Sequence, residues 1–183
     1  MGMEQKDNFI EKHPDDFKDL YDRYVSRIND YLLRMSGDPL LAEELTQETF
    51  YRALVNLRSF KGEAVGPWLF RIAHNLFIDE YRQRRRLVGD EPLETIPISS
   101  GAEMPEKYLD SLETQKKVQI ILRKLPENYR SLLLLRDHLG LSYEDIAVTT
   151  GKSITTVKVT LFRARARFRE LYNAEVSGKE DIK

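Results

Sequence analysis

The residues best suited to chemistry lie between Lys152 and Tyr172. This stretch has six basic residues and one acid, Glu170, which gives it a local net charge of +5. Basic side chains neutralise phosphates, and polar side chains on a helix can contact base edges in the major groove. The stretch therefore predicts nucleic-acid binding, and an ordinary amphipathic helix with a solvated arginine face is the alternative. The residues expected on its polar face are Thr155, Thr156, Lys158, Phe162, Arg163, Arg165, Arg167 and Arg169.

The element that must position these side chains is a helix-turn-helix spanning Leu141 to Tyr172. Ser142 is a candidate N-cap of a short first helix, Gly151 can take positive φ at the turn, and Ser153 can cap the second helix. Apolar residues at three- and four-residue spacing predict one buried stripe on the second helix. These residues are Ile154, Val157, Leu161, Ala164, Phe168 and Leu171.

Composition limits the possible functions of the 183-residue chain. Hydrophobic residues make up 41% and charged residues 32%, as in ordinary globular proteins. The sequence has no cysteine, so disulfides and cysteine-bound zinc are excluded. It has no apolar run of about 18 residues and no signal-peptide core at its start. We expect a cytoplasmic protein without membrane insertion.

Helical periodicity upstream predicts a first domain over residues 14–86, with helices over about 14–35, 39–58 and 67–86. Asp38 and Pro39 are an N-cap and a first helical residue. The second helix has an acidic face, formed by Asp38, Glu43, Glu44 and Glu48. An acidic face is either plain solvated surface or a docking site for a basic partner. The third helix ends in the basic run YRQRRR, and arginines beside aromatic rings are typical of single-stranded nucleic-acid binding.

Residues 87–107 are interpreted as a flexible acidic linker, since prolines and a Ser-Ser-Gly sequence interrupt helical periodicity there. From Leu87 to Glu113 the chain has seven acids and one lysine. Helical patterns resume in a second domain over 108–172, which ends in the helix-turn-helix. No segment alternates with the period of a strand. The predicted fold is all-α, with two small helical domains.

Three separated stretches together resemble the bacterial RNA polymerase sigma factors of the small two-domain extracytoplasmic-function (ECF) group. They are AEELTQETFYRAL (42–54), PWLFRIAHNLFIDEYRQRRR (67–86) and the stretch from Leu125 to Leu171. The resemblance covers about residues 17–86 and 108–172. It implies a protein that binds core RNA polymerase and directs transcription initiation from promoters with −35 and −10 elements.

The resemblance also implies roles for the first domain. Its second helix would dock on the clamp helices of the largest polymerase subunit, through Glu44, Leu45, Gln47, Glu48 and Leu54. The loop after it, in which we expect Phe60 to be exposed, and the third helix would recognise and melt the −10 element. A captured base needs a pocket and positive charge nearby. The implied residues are Phe60, Lys61, Glu63, Ala64, Arg71, Asn75, Arg82 and Arg85.

The second domain would bind the polymerase flap, on the second-largest subunit, and recognise the −35 element. Lys158, Val159, Phe162 and Arg163 sit where family members contact bases and backbone, Thr155 and Thr156 share their face, and Arg165 and Arg167 would contact phosphates. The sequence departs from the family at Val159-Thr160, where Ser-Arg is common, and Val159 could instead touch a thymine methyl. The acidic linker would thread toward the RNA exit path.

Family members are commonly held inactive by an anti-sigma protein, often membrane-bound, so such a partner is implied here. If it exists, the two domains should pack compactly around it, or on each other when off polymerase. No cofactor or metal is implied. The alternative is a stand-alone helix-turn-helix regulator, which would leave the acidic helix and the YRQRRR run unexplained. A metal-dependent nuclease using Asp38, Glu43, Glu44 and Glu48 is disfavoured, because most of these acids lie on one helix whereas metal ligands converge from several elements.

Overall fold

The computed structural model describes residues 15–57, 60, 64–88 and 106–177, and these residues form seven helices. The predicted all-α class is confirmed for this part of the chain, which contains no strand. The N-terminal segment and the predicted linker residues 89–105 lie outside the described residues. The helices are α1 (Asp15–Ser36), α2 (Pro39–Asn56), α3 (Val65–Val88), α4 (Glu106–Lys124), α5 (Glu127–Leu133), which continues as a π-helical turn (Leu134–His138), α6 (Tyr143–Thr150) and α7 (Ile154–Ser177).

Helices α1, α2 and α3 form the first helical group and pack around an apolar core that includes Ile28, Leu32, Leu69 and Phe70. The predicted cap of α2 is confirmed, since the Asp38 carboxylate accepts hydrogen bonds from the amides of Leu40 and Leu41. Several boundaries differ from the sequence prediction, among them the end of α3, which reaches Val88 inside the predicted linker. Helix α2 ends at Asn56, and α3 begins at Val65 rather than Pro67, because Val65 is buried and joins the core.

Helices α4 to α7 form the second helical group, with α5 and α6 both packed on α7. Leu132, Leu135, Ile146 and Leu161 are at most 1% exposed and form its centre. The π-helical turn after α5 brings the chain to Leu141, where α6 is about to begin.

The two helical groups are packed against each other, chiefly where α3 meets α6. At this junction the Thr149 hydroxyl donates a hydrogen bond of 3.3 Å to the carbonyl oxygen of Pro67. At the other end, Arg123 of α4 donates to the carbonyl oxygen of Gly37, which has a φ of +71°. A Cβ at Gly37 would collide with the Arg123 guanidinium, so glycine is needed both for the turn and for this close approach. The described residues therefore adopt a closed arrangement of the two groups.

Candidate functional site

The helix-turn-helix forms as the sequence predicts. Ser142 and Asp145 make a reciprocal capping box at the start of α6, and Gly151 has a φ of +66° at the turn. The Ser153 hydroxyl accepts a hydrogen bond of 3.1 Å from the amide of Thr156. These local bonds fix the angle at which α7 leaves the turn.

Helix α7 has one buried and one exposed side over its first three turns. Val157, Leu161 and Ala164 are at most 1% exposed, as the predicted stripe requires. Ile154 was expected in that stripe, but it is 38% exposed at the first position of α7. The residues predicted for the −35 element share the other side and are all exposed: Thr155, Thr156, Lys158, Val159, Phe162 and Arg163.

Phe162 is the most exposed aromatic side chain on this surface, with 76% of its area open to solvent, and Val159 beside it is 45% exposed. Large apolar side chains at such exposure indicate contact with a partner when they lie together among polar groups. The base edge that an apolar side chain can recognise in the major groove is the thymine methyl group.

The two predicted phosphate contacts are both engaged in ion pairs. Arg165 makes two hydrogen bonds to the Asp137 carboxylate, of 3.1 and 2.5 Å, and Arg167 pairs with Glu170 at 2.9 Å. The hydrogen bond to Asp137 raises the pKa of Arg165. All four side chains are exposed, so water and salt screen both ion pairs.

Sequence reasoning did not identify Tyr143, the first residue of α6, as part of this surface. The Arg136 guanidinium lies 4.7 Å from the centre of the Tyr143 ring, and the Lys158 ammonium lies 5.4 Å from it. These distances are within the range of cation–π attraction. The only available sequence signal was an aromatic residue directly after a helix cap, which is a weak one.

The acidic helix α2 presents a mixed apolar and charged outer face. Glu44, Gln47 and Leu54 of the predicted docking residues are exposed, and Glu48 is half-buried and paired with Arg52 at 2.7 Å. Leu45 is different: only 6% of it is exposed, because it belongs mainly to the core of the first helical group. Leu40, Tyr51 and Val55 are exposed on the same helix and were not predicted.

A shallow, open groove of about 440 Å³ lies on this face of α2. It is lined by Glu44, Leu45, Gln47, Glu48, Tyr51 and Arg52. Leu45 thus lies at the base of this face. Tyr51 and Arg52 extend the face by one helical turn.

The residues predicted for the −10 element are distributed over α3 and the loop before it. Arg71, Asn75, Arg82 and Arg85 are exposed, and their spacing places them along one side of the helix. Phe60 is half-buried rather than exposed, since its ring packs on Trp68 with 4.5 Å between ring centroids. Ala64 is exposed, and Lys61 and Glu63 lie outside the described residues.

A polar cavity of about 480 Å³ separates this part of α3 from the second helical group. Asn75 and Arg82 line it from α3, and Asn128, Thr150 and Lys152 line it from the other side. His74 lies at its edge, and burial, with the nearby charges of Lys152 and Arg82, lowers the pKa of His74 to about 4. The imidazole is therefore neutral at physiological pH.

Neither a metal centre nor a membrane span is present in the described part of the chain. No three acidic or histidine side chains there are close enough together to hold a metal ion. Asp38, one of the acids considered for a nuclease site, is instead committed to capping α2. Among the described helices, none combines the length and apolar character needed to cross a membrane.

Comparisons with known proteins agree with this geometry. The family model for Sigma-70 region 2 matches residues 20–87, and that for Sigma-70 region 4 matches residues 116–168. The chain is 35% identical to RNA polymerase sigma factor YlaC of Bacillus subtilis over 87% of this chain and 93% of that protein. It is 32% identical to ECF RNA polymerase sigma factor SigM of the same organism, over 87% of this chain and 96% of SigM.

A solved structure also matches over most of its length. The chain is similar to the sigma factor RpoE of Bartonella quintana, crystallised with the anti-sigma factor NepR, with a TM-score of 0.69 and 32% identity. The match covers 86% of this chain and 97% of that one. The exposed helix-turn-helix, the mixed face of α2 and these similarities lead to one conclusion: the chain belongs to the ECF group of bacterial RNA polymerase sigma factors.

Proposed function

We propose that this sigma factor binds core RNA polymerase through α2 and brings promoter DNA to α3 and α7. One observation carries the proposal: two helices in one chain expose apolar side chains within charged faces of opposite character. On α2 these are Leu40, Tyr51 and Leu54 among acids, and on α7 they are Val159 and Phe162 among bases. A stand-alone DNA-binding regulator would need only the second of these surfaces.

The face of α2 supplies the polymerase contact. Glu44, Gln47, Glu48 and Leu54 bind the clamp helices of the largest subunit, and the groove beside Tyr51 accepts one of their side chains. Leu45 acts from below by supporting this groove. The second helical group binds the flap of the second-largest subunit. Apolar anchors within a polar rim are the usual anatomy of a specific interface.

Helix α3 and the loop before it bind the −10 element as a single strand. Arg71, Asn75, Arg82 and Arg85 follow the strand along one side of α3, where basic groups contact phosphates. Phe60, held by its contact with Trp68, forms one wall of the site for an unstacked base. Ala64, Lys61 and Glu63 contribute to the binding of that base. Binding of the base in a pocket offsets the cost of unstacking it, which is about a few kcal/mol.

Helix α7 recognises the −35 element in the major groove. Lys158, Val159, Phe162 and Arg163 contact bases and the nearby backbone, with Thr155 and Thr156 at the start of the helix. Arg165 and Arg167 exchange their carboxylate partners for phosphates on binding. The apolar pair Val159 and Phe162 favours thymine methyl groups in the recognised sequence.

The closed arrangement represents a state off the promoter. The −35 and −10 elements are, by their names, about 25 base pairs apart, which is about 85 Å of B-form DNA. A compact body of this size is only about 40 Å across, so α3 and α7 cannot reach both elements while the two helical groups are packed together. The groups must separate when the sigma factor joins polymerase.

The proposal also includes regulation by an anti-sigma factor. The protein acts beside polymerase in the cytoplasm, or lies at the membrane together with that partner. The similarity to a sigma factor crystallised with its anti-sigma factor supports this part. The protein itself acts by binding and not by catalysis.

The test is to combine the purified chain with bacterial core polymerase, assay complex formation by size exclusion, and perform run-off transcription on fragmented genomic DNA. Co-elution with new, specific start sites is expected, and these sites would define both promoter elements. Absence of a complex with core, together with tight duplex binding by the chain alone, would overturn the proposal in favour of a stand-alone regulator.

A further inference from the structure

Tyr143 lies at the centre of a group of cations on the second helical group. Arg136 from the turn after α5 and Lys158 from α7 both approach its ring, at 4.7 and 5.4 Å from the centroid. Arg165, whose pKa is raised mainly by its hydrogen bond to Asp137, also interacts with Tyr143. One aromatic side chain thus contacts basic residues from two separate elements.

The two ring-bound cations are held in different ways. Arg136 is fixed independently of the ring, since its guanidinium donates a hydrogen bond of 2.6 Å to the carbonyl oxygen of Leu141. Lys158 has no carboxylate partner among the described residues, and the Tyr143 ring is the contact that restrains its ammonium group. A lysine side chain is long and flexible, so without such a restraint it samples many orientations.

We infer that Tyr143 is a positioning residue that aims Lys158 at a base edge of the −35 element, and that the base is a guanine. Lysine donates to the O6 and N7 atoms that guanine presents in the major groove. An unrestrained Lys158 would instead pair with the nearest phosphate, which contributes affinity without sequence selectivity. This inference rests on the proposed recognition of the −35 element by α7.

The test uses the holoenzyme on a promoter found by run-off transcription, compared with versions in which each guanine–cytosine pair of the −35 element is exchanged. Discrimination is the ratio of transcription or of promoter affinity between the two templates. Lys158→Met should lower discrimination about tenfold at one guanine. Tyr143→Leu should lower it about two- to fivefold at the same position, whereas Tyr143→Phe should retain it because the ring remains.

Two further readouts separate positioning from a merely structural role. In Tyr143→Leu the dependence of affinity on salt should steepen by about one unit of log–log slope, since Lys158 moves to a phosphate. In the double variant Tyr143→Leu/Lys158→Met the losses should not add, because both remove the same contact. If Tyr143→Leu proves unstable by thermal unfolding, Tyr143→Met supplies the same test with a more adaptable side chain.

Unchanged discrimination in a folded Tyr143→Leu variant, alongside a loss in Lys158→Met, would overturn the inference. The inference would also be overturned if Tyr143→Leu lost transcription equally from the original promoter and from one whose −35 element has been replaced. A wild-type holoenzyme that ignores the −35 element would instead contradict the proposed function, and that result is seen before any variant is made.

Discussion

Polar side chains occur both where the two helical groups meet and on the exposed faces of α2 and α7. They are buried at the first place and open to solvent at the second. Tyr31, His74 and Ser131 meet within 3.0 to 3.2 Å of each other, and none is more than 9% exposed. On α7, the charged groups stand in solvent, where water and salt screen their ion pairs. A buried polar group must keep its partner, whereas an exposed one can exchange it for water or a ligand.

Buried polar contacts between the two groups also occur at the end of α1. The carbonyl oxygens of its last turn lack partners within the helix. Gln119 donates to the carbonyl oxygen of Arg34, and Arg130 donates to that of Met35, so α4 and α5 cap a helix of the other group. Buried polar contacts of this kind specify one packing arrangement of the two groups.

The largest expected effect comes from Arg130, which is 7% exposed and donates to four backbone carbonyl oxygens. Arg130→Met should lower the free energy of unfolding by about 3 kcal/mol, because several buried acceptors lose their donor. Urea unfolding followed by circular dichroism measures this change. Arg167→Met, which removes an exposed pair, should change it by less than about 0.5 kcal/mol. Equal losses of the free energy of unfolding in the two variants would contradict the proposed contrast between buried and exposed polar groups.

The second effect is a dependence of closure on pH through His74. Its pKa is held at about 4 by burial and by Lys152 and Arg82, whereas an exposed histidine titrates near 6.5. The closed form therefore binds fewer protons, and its stability is lost as the pH falls from 6.5 toward 4. Between pH 7 and pH 5 the expected loss is about 2 kcal/mol.

Small-angle scattering and urea unfolding at the two pH values would measure this loss, with His74→Gln as the control whose stability should respond less. Although burial alone would raise the pKa of Asp30, hydrogen bonds from His138 and Arg34 hold that pKa below its usual value, so this carboxylate stays charged at pH 5. A stability that does not fall toward pH 5 in the wild type would contradict the role of His74.

On the exposed side, Arg163→Ala should reduce transcription from promoters that use a −35 element by about tenfold. The free energy of unfolding and the affinity for core polymerase should not change, because the side chain is exposed and belongs to α7 rather than to α2. Run-off transcription and core binding by fluorescence titration separate the two outcomes. An equal loss of core binding would contradict the division of labour between α2 and α7.

The smallest expected effect is that of Glu48→Lys, which should weaken core binding about fivefold by reversing one charge on the docking face. Asp22→Lys makes the same change of net charge on α1, where Asp22 is exposed and paired with Lys18, and serves as the matched control. If the two variants bind core equally, the acidic face of α2 is ordinary solvated surface.

The helix caps and the turn could be predicted from the sequence because they depend on neighbouring residues only. Asp38, Ser142, Gly151 and Ser153 act over three or four positions, and each was found in its expected role. The basic exposed side of α7 was predictable for the same reason, since helical spacing alone assigns side chains to faces.

Which part of a face is covered depends on tertiary packing. Leu45 and Leu54 were assigned to the same docking face, yet one is 6% and the other 52% exposed. Phe60 was expected to be exposed but packs on Trp68, and Ile154 was expected to be buried but is not. Periodicity predicts the direction in which a side chain points, whereas tertiary packing decides whether another element covers it.

By itself, then, the sequence determined the helices, their caps, the segregation of charge and the resemblance to sigma factors, all of which are encoded locally or in short motifs. Only the tertiary structure brought Tyr31, His74 and Ser131 together, since up to 100 positions separate them along the chain. Tertiary packing also buried Arg130 and placed basic side chains against the ring of Tyr143. Such contacts depend on how whole helices pack, and side-chain periodicity within one helix does not encode that geometry.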